Sequence, residues 1–328
     1  MSEATSSQRK EVDALYAESQ EWKINTGEET IHAKRMPGAF RRLKWIAASS
    51  WLLFFFGPYL RWNGRQAVLF DIPGRQYHIF EITILPQDVW MLSLVLLFFA
   101  IMLAVVTTLF GRVYCGFFCF QTIWVDIFTW LEEKLEGSPA KRKKLDKASW
   151  NVDKIVVKLK KHLLWILVSM FTGVSFVAWF TDVYQLWIDY FTLTASSTEW
   201  SVLALFTVGT YIMAGVLREQ TCFWLCPYAR IQAVMLDRES MIPTYDYNRG
   251  EPRGRLKKGE TVEGNGDCID CNQCVAVCPT GVDIRHGLDE GCITCALCID
   301  ACNSVMDKID KPHGLIRYES VDALEGKP

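Results

Sequence analysis

The chain has 328 residues, 50% of them hydrophobic, with 13 Trp, 19 Phe, 12 Cys and a formal net charge of −2; its mean hydropathy is +0.10. The 22% of charged residues cluster and leave long uncharged runs, which excludes an ordinary soluble enzyme and a disordered chain. No domain-wide basic surplus exists, which argues against nucleic acid as a partner.

Residues 1–43 carry charges throughout and contain no apolar core of a signal peptide, so they read as a cytoplasmic N-terminal tail. Residues 44–240 read as a membrane domain. Spans are expected near 45–62, 89–110, 163–181 and 200–217, since roughly 20 mostly apolar residues cross a bilayer. Trp45, Trp90, Trp165, Trp179 and Trp200 suit headgroup depth. Any one such run could be a buried core helix; four together favour lipid. Phe117–Leu131 carries Asp126 in mid-run and is expected to lie in the interface. Val183–Thr194 reads as a short amphipathic piece on the far face.

Arg112–His162 contains eleven Lys or Arg and the 182–199 loop none. Basic loops stay in the cytoplasm, and an even number of spans then places both termini there. Beyond the membrane domain the sequence divides into a linker, 241–263, a ferredoxin domain, 264–318, and a tail, 319–328. The expected fold class is a membrane all-α protein, with four transmembrane helices plus interfacial helices, carrying a cytoplasmic α+β bacterial-type two-cluster ferredoxin domain.

The strongest signal is a doubled cysteine run. Cys268, Cys271, Cys274 and Cys278 follow the spacing C-x2-C-x2-C-x3-C, and Cys292, Cys295, Cys298 and Cys302 repeat it. This is the two-cluster bacterial ferredoxin pattern, in which the fourth cysteine of each run serves the other cube. Cluster one should therefore use Cys268, Cys271, Cys274 and Cys302; cluster two should use Cys292, Cys295, Cys298 and Cys278. Zinc modules use C-x2-C pairs set farther apart, and disulfides are disfavoured in a reducing cytoplasm.

Four cysteines remain. Cys115 and Cys119 follow the second expected span, and Cys222 and Cys226 follow the fourth. Each pair is C-x3-C, so on a helix both thiols share a face, at equal depth after co-oriented spans. Buried cysteine is often only a small hydrophobe. Two equivalent pairs on the ferredoxin's side point instead to a soft-metal or redox site for Cu(I), zinc or an iron–sulfur cluster. Arg112 and Arg218 precede the pairs and would either lower thiol pKa values or serve as positive-inside anchors. Glu219 reads as a solvated helix-end charge, and His162 as an interfacial anchor rather than a ligand. No phosphate-cradling loop, nucleophile elbow or His-Glu zinc motif is present, so no bound nicotinamide or nucleotide is expected.

The runs GRVYCGFFCFQTIWVDIFTWLEEKLEG, LREQTCFWLCPYARIQ, TYDYNRGEPRG, WNGRQAVLFDIPGRQYHIF and CIDCNQCVAVCPTGVDIR resemble the CcoG (also called FixG or RdxA) cytochrome oxidase accessory proteins. The resemblance extends from about residue 38 to 318. It implies a bacterial inner-membrane polyferredoxin with two 4Fe–4S clusters, reducing Cu(II) to Cu(I) for assembly of cbb3-type oxidase. The family's two C-x3-C pairs fall on Cys115/Cys119 and Cys222/Cys226, and its ferredoxin ligands on the eight downstream cysteines.

Two departures stand out. Phe120 occupies the place where proline usually follows the first pair, while Pro227 is kept after the second. The family usually continues past the ferredoxin into another span and a periplasmic immunoglobulin-like domain, so this chain reads either as a short form or as a piece.

The leading functional expectation is a cupric reductase with copper held by Cys115, Cys119, Cys222 and Cys226. Its expected partners are a cytoplasmic electron donor, copper-delivery and oxidase-assembly proteins, and the lipid bilayer. The alternative is a quinol-linked conduit similar to NapH-type polyferredoxins; a scaffold stabilised by its clusters is a third, non-redox reading.

Overall fold

The computed structural model describes residues 31–255 and 264–326, together with Lys10 and Ala14. Most of the expected N-terminal tail, residues 256–263 of the expected linker and the last two residues lie outside the described residues.

From Ile31 the chain runs without regular structure to helix α1 (Ala39–Ala48), turns through Ser49–Trp51 and continues as α2 (Leu52–Phe56). A 3-10 turn over Gly57–Tyr59, which contains Pro58, continues the helical run, and the chain becomes extended at Leu60. Beyond it come the hairpin β1 (Arg61–Trp62) and β2 (Arg65–Gln66), then the antiparallel sheet β3 (Val68–Asp71), β4 (Gln76–Ile79) and β5 (Ile82–Ile84). Buried Gln66 ties this far-side structure down by donating from Nε2 to the carbonyls of Val68 at 3.0 Å and Ala178 at 2.8 Å. Arg61 pairs with Asp182 at 2.6 Å.

Helix α3 (Val89–Phe110) is free of charge, and its large side chains from Trp90 to Phe110 are exposed. A helix apolar on every side, and uncovered by protein along most of its length before buried Thr107, belongs in lipid. After it come α4 (Val113–Phe117), α5 (Phe120–Glu136), α6 (Pro139–Lys147), α7 (Val152–Val177), α8 (Val183–Thr192) and α9 (Ser197–Thr210), the last prolonged by a wide π turn over Tyr211–Leu217. Asn151, Asp182 and Ser196 cap α7, α8 and α9 through side-chain bonds to the first turn. These caps satisfy otherwise orphaned N–H groups. Helices α7 and α9 form a hairpin in which Phe176 stacks on Phe206, with centroids 3.7 Å apart.

Among the described residues, three helical stretches are long and apolar enough to cross a membrane: Pro86–Phe110, Val113–Glu136 and Ser197–Leu217. The expected spans 89–110 and 200–217 coincide with the first and third. The second contains Phe117–Leu131, for which an interfacial position was expected, and it is the most buried of the three within the protein. The other two expected spans do not qualify. Residues 45–62 run through short α and 3-10 segments as far as Tyr59 before β1, and 163–181 forms the end of a helix whose first half carries Lys154, Lys158, Lys160 and Lys161.

Ion pairs bind the helices together. Buried Glu132 on α5 receives Arg218 at 2.5 Å, Arg142 at 3.1 Å and Lys161 at 3.2 Å. One turn on, Glu136 meets Lys158 at 2.9 Å and Lys161 at 3.0 Å. Asp126 takes Arg41 at 2.8 Å and Lys44 at 3.1 Å.

The dicluster unit comprises β6 (Ile242–Tyr245), α11 (Tyr247–Gly250), α12 (Gln273–Ala276), α13 (Leu297–Lys308), β7 (Ile316–Glu319) and α14 (Val321–Leu324). Strands β6 and β7 pair antiparallel with Tyr245 opposite Ile316, so residues from the expected linker and tail contribute to it. Its core contains Ile269, Val275, Ile299, Val305, Met306 and Leu315. The segment before α1 straps this unit to the membrane part. Lys34 N–H donates to the Ala276 carbonyl at 2.7 Å. The Asp300 carboxylate on α13 accepts from Ala39 and Arg41 N–H, both at 3.0 Å, capping α1 from across the interface.

Replacing Glu132 by Gln would leave Arg142, Lys161 and Arg218 buried without their counter-charge. Breaking a buried pair costs about 3–5 kcal/mol, so Glu132→Gln is expected to lower the thermal unfolding midpoint in detergent clearly; an unchanged midpoint would contradict the arrangement.

Candidate metal centres

The two downstream cysteine runs fold alike. In the first, Asp270 and Asn272 have φ of 53° and 54°; in the second, Thr294 and Ala296 at the matching places have 49° and 58°. Left-handed residues on either side of the second cysteine coil the backbone so that successive N–H groups face inward. Such a nest favours an anionic group, as at many iron–sulfur sites.

Each run opens on a cavity. One, of about 370 Å³, is lined by Cys268, Cys271, Cys274 and Cys302, with Tyr245, Ile269 and Leu315 among its apolar walls. The other, of about 350 Å³, is lined by Cys278, Cys292, Cys295 and Cys298, with Cys274 at its border. Cys302 thus comes from the second run to the first cavity, and Cys278 from the first run to the second. Among the described residues, no three or more His, Cys, Asp or Glu close on a single ion. That suits a four-iron cube, which spreads its thiolates farther apart than one tetrahedral metal does. Burial pushes three of these thiols up, Cys271 to about 11 and Cys292 and Cys302 to about 12.

The membrane-edge pairs sit at two matching breaks. Cys119 is extended, with φ −61° and ψ 126°, and α5 starts after it; Cys226 is extended, with φ −80° and ψ 107°, and α10 (Pro227–Met235) starts after it. The break that proline would favour therefore forms at Phe120 without it. Cys115 is buried with Val277, Ile293, Cys295, Leu297 and Ala301 of the dicluster unit. Cys222 lines a cleft with Arg112, Trp224, Arg230, Thr280 and Ile293. Burial pushes the Cys222 thiol up to about 12; nearby Cys119 and Cys226 raise it further and Arg112 lowers it. The four thiols are gathered on one side of the dicluster unit without forming a single-ion cage.

Other expectations are met differently. Arg112 is buried and donates to the Glu290 carbonyl, so burial outweighs its pull on the thiol. Arg218 is a partner of Glu132 rather than a surface anchor. Glu219, expected to be solvated, is 6% exposed, and its carboxyl is raised by burial. His162 Nδ1 lies 2.9 Å from the Tyr211 hydroxyl and belongs to no thiol group. Two residues gave no sequence signal. Gln232 Oε1 accepts from the Cys115 thiol at 3.0 Å while its Nε2 donates to Thr107 and Tyr228. Arg285, at the wall of the first cavity, bonds Asp270, Asn272 and Asp283.

A family model described as a 4Fe-4S dicluster domain matches residues 217–321, and one described as a 4Fe-4S binding domain matches 92–138. The second match spans Cys115 and Cys119. The chain is 41% identical over 299 residues to nitrogen fixation protein FixG of Rhizobium meliloti (strain 1021), covering 89% of this chain and 57% of that protein. It is 42% identical over 294 residues to protein RdxA of Cereibacter sphaeroides (88% and 62%) and 41% identical over 297 residues to protein RdxB of the same organism (88% and 62%). The chain thus spans about three fifths of the length of these relatives. No solved structure matches it.

A titration follows from the thiols. The folded values of Cys222, Cys271, Cys292 and Cys302 lie above the ~8.5 of an unfolded cysteine, so burying them neutral stabilises the iron-free fold fully below that pH. The contribution is lost as pH rises toward the folded values. Protein stripped of iron is expected to unfold at progressively lower denaturant between about pH 8.5 and 11. A midpoint that holds or rises over that interval would contradict the burial.

Proposed function

We propose, for a chain that belongs to the family of FixG, RdxA and RdxB, the function of a cupric reductase. It would be a multi-pass oxidoreductase of the bacterial inner membrane that takes electrons from a cytoplasmic donor. It would reduce Cu(II) to Cu(I) for copper-delivery and assembly proteins of cbb3-type oxidase. Cys268, Cys271, Cys274 and Cys302 would hold one 4Fe–4S cube, and Cys278, Cys292, Cys295 and Cys298 the other. When bound, these groups supply one-electron transfer.

The observation that carries this reading is the burial of Cys115 against Cys295, with Cys222 facing Thr280 nearby. It sets the membrane-edge thiols directly against a cluster-binding run. Copper is the substrate, and Cys115, Cys119, Cys222 and Cys226 are its proposed ligands. Each C-x3-C pair offers two thiolates, soft donors that favour Cu(I) over Cu(II). The N-termini of α5 and α10, beginning right after Cys119 and Cys226, favour negative charge there. Gln232 holds the Cys115 thiol in position.

Both termini are proposed to be cytoplasmic, on a reading in which α7 and α9 cross as a hairpin, so that the eleven basic residues of 112–162 lie opposite the 182–199 loop, which has none. A second reading, quinol-linked transfer, draws support from the cleft beside Cys222. Exposed Trp224 and Val234 make its wall apolar at the membrane edge.

Anaerobically purified protein is expected to contain about eight irons from two cubes and, once reduced, to be reoxidised by Cu(II) faster than by a water-soluble quinone. The reverse order would favour the quinol reading. Replacing Cys115 and Cys119 together by Ser is expected to abolish Cu(II) reduction with iron unchanged. Loss of about four irons in that variant would assign the pair to a further cube instead. Periplasmic reporter activity at Asn248 would overturn the proposed orientation.

A further inference from the structure

The two thiol pairs meet the dicluster unit on one short stretch of chain. A Cβ on Gly116, which follows Cys115, would lie 2.6 Å from the Ile293 carbonyl oxygen and 2.9 and 3.0 Å from Cys295 Cα and N. All three are backbone atoms, which cannot swing aside as a flexible side chain can. At the second pair the relation is reversed. Phe223 follows Cys222, and the glycine stands opposite: a Cβ on Gly291 would lie 2.7 Å from Phe223 Cζ and 2.9 Å from Val282 Cγ2. Arg112 binds the Glu290 carbonyl just before this stretch.

Residues 290–295 therefore lie against the segments that carry both Cys115 and Cys222. The first run meets the pairs through its far end, with Val277 packed against Cys115 and Thr280 lining the cleft with Cys222. Its cavity is walled by Tyr245, Val305, Met306 and Leu315 of the unit's own core. The left-handed Thr294 and Ala296 fix the backbone on either side of Cys295, so this stretch has little room to retreat.

We infer that the second cysteine run is the face by which the dicluster unit is seated on the membrane-edge thiols, with Gly116 and Gly291 as the positioning residues that keep the seat close. The inference rests on the proposed function only for its purpose: transfer between redox groups slows steeply as their separation grows, and these glycines remove the atoms that would enforce a gap. Cluster two would then be the centre next to the thiols, and cluster one the centre facing the donor.

The test uses the intact, iron-loaded protein. Gly116→Ala and Gly116→Val are compared with Gly209→Ala, a membrane-helix control where an added Cβ meets nothing within 4 Å. The readouts are iron content, the iodoacetamide alkylation rate of Cys115 by peptide mass spectrometry, and the rate of reoxidation by Cu(II). The two Gly116 variants are expected to keep their iron, to alkylate Cys115 several-fold faster and to be reoxidised several-fold more slowly, Val more than Ala. The control should match the parent. Parental alkylation and reoxidation in both Gly116 variants would overturn the inference.

Should those variants fail to fold, Phe223→Ala tests the other contact by removing atoms rather than adding them. Faster alkylation of Cys222 supports the seat, and an unchanged rate overturns it. A parent protein that Cu(II) does not reoxidise contradicts the proposed function, while the alkylation comparison still decides the seat.

Discussion

The architecture depends on one close approach, that of the backbone around Cys115 and Gly116 to the backbone of Ile293–Cys295. Two chain segments can come this near only if no side chain intervenes. Everything around the contact holds it in register. The strap before α1 is fastened to α12 by Lys34, and α1 itself is capped by Asp300 of α13 and paired with Asp126 of α5. Membrane helices and dicluster unit are thereby parts of one body with its cysteines on the shared surface.

The buried carboxylates serve that arrangement. Glu132 and Asp126 lie on the same helix that begins at Cys119, and each gathers cations from elements far apart in sequence. Buried ion pairs contribute little net stability, because desolvation offsets their attraction, but removing one partner is costly. Their consequence here is positional: α5 cannot rotate or slide without stranding a charge. The C-x3-C pair at its start inherits that rigidity.

Much of the site was legible in the sequence because cluster-binding runs obey a strict spacing. Cys302 lines the cavity of the first run and Cys278 that of the second. Burial was less legible. Glu219 beside Cys222 looked like a surface charge, and Arg218 like an anchor, because local composition says nothing about a partner such as Glu132, 86 residues away. The same limit applies to the spans. Residues 163–177 are apolar, yet they end a helix that begins with lysines paired to buried acids. Gln232 and Gly116 gave no signal, since their roles exist only through contacts made in three dimensions.

The most direct test of the central claim is X-ray absorption at the copper edge, on reduced, iron-loaded protein mixed anaerobically with one equivalent of Cu(II). The account predicts Cu(I) in an all-sulfur shell, lost when Cys115, Cys119, Cys222 and Cys226 are replaced by Ser. Copper that stays Cu(II), or Cu(I) in a nitrogen and oxygen shell that survives those replacements, would contradict it.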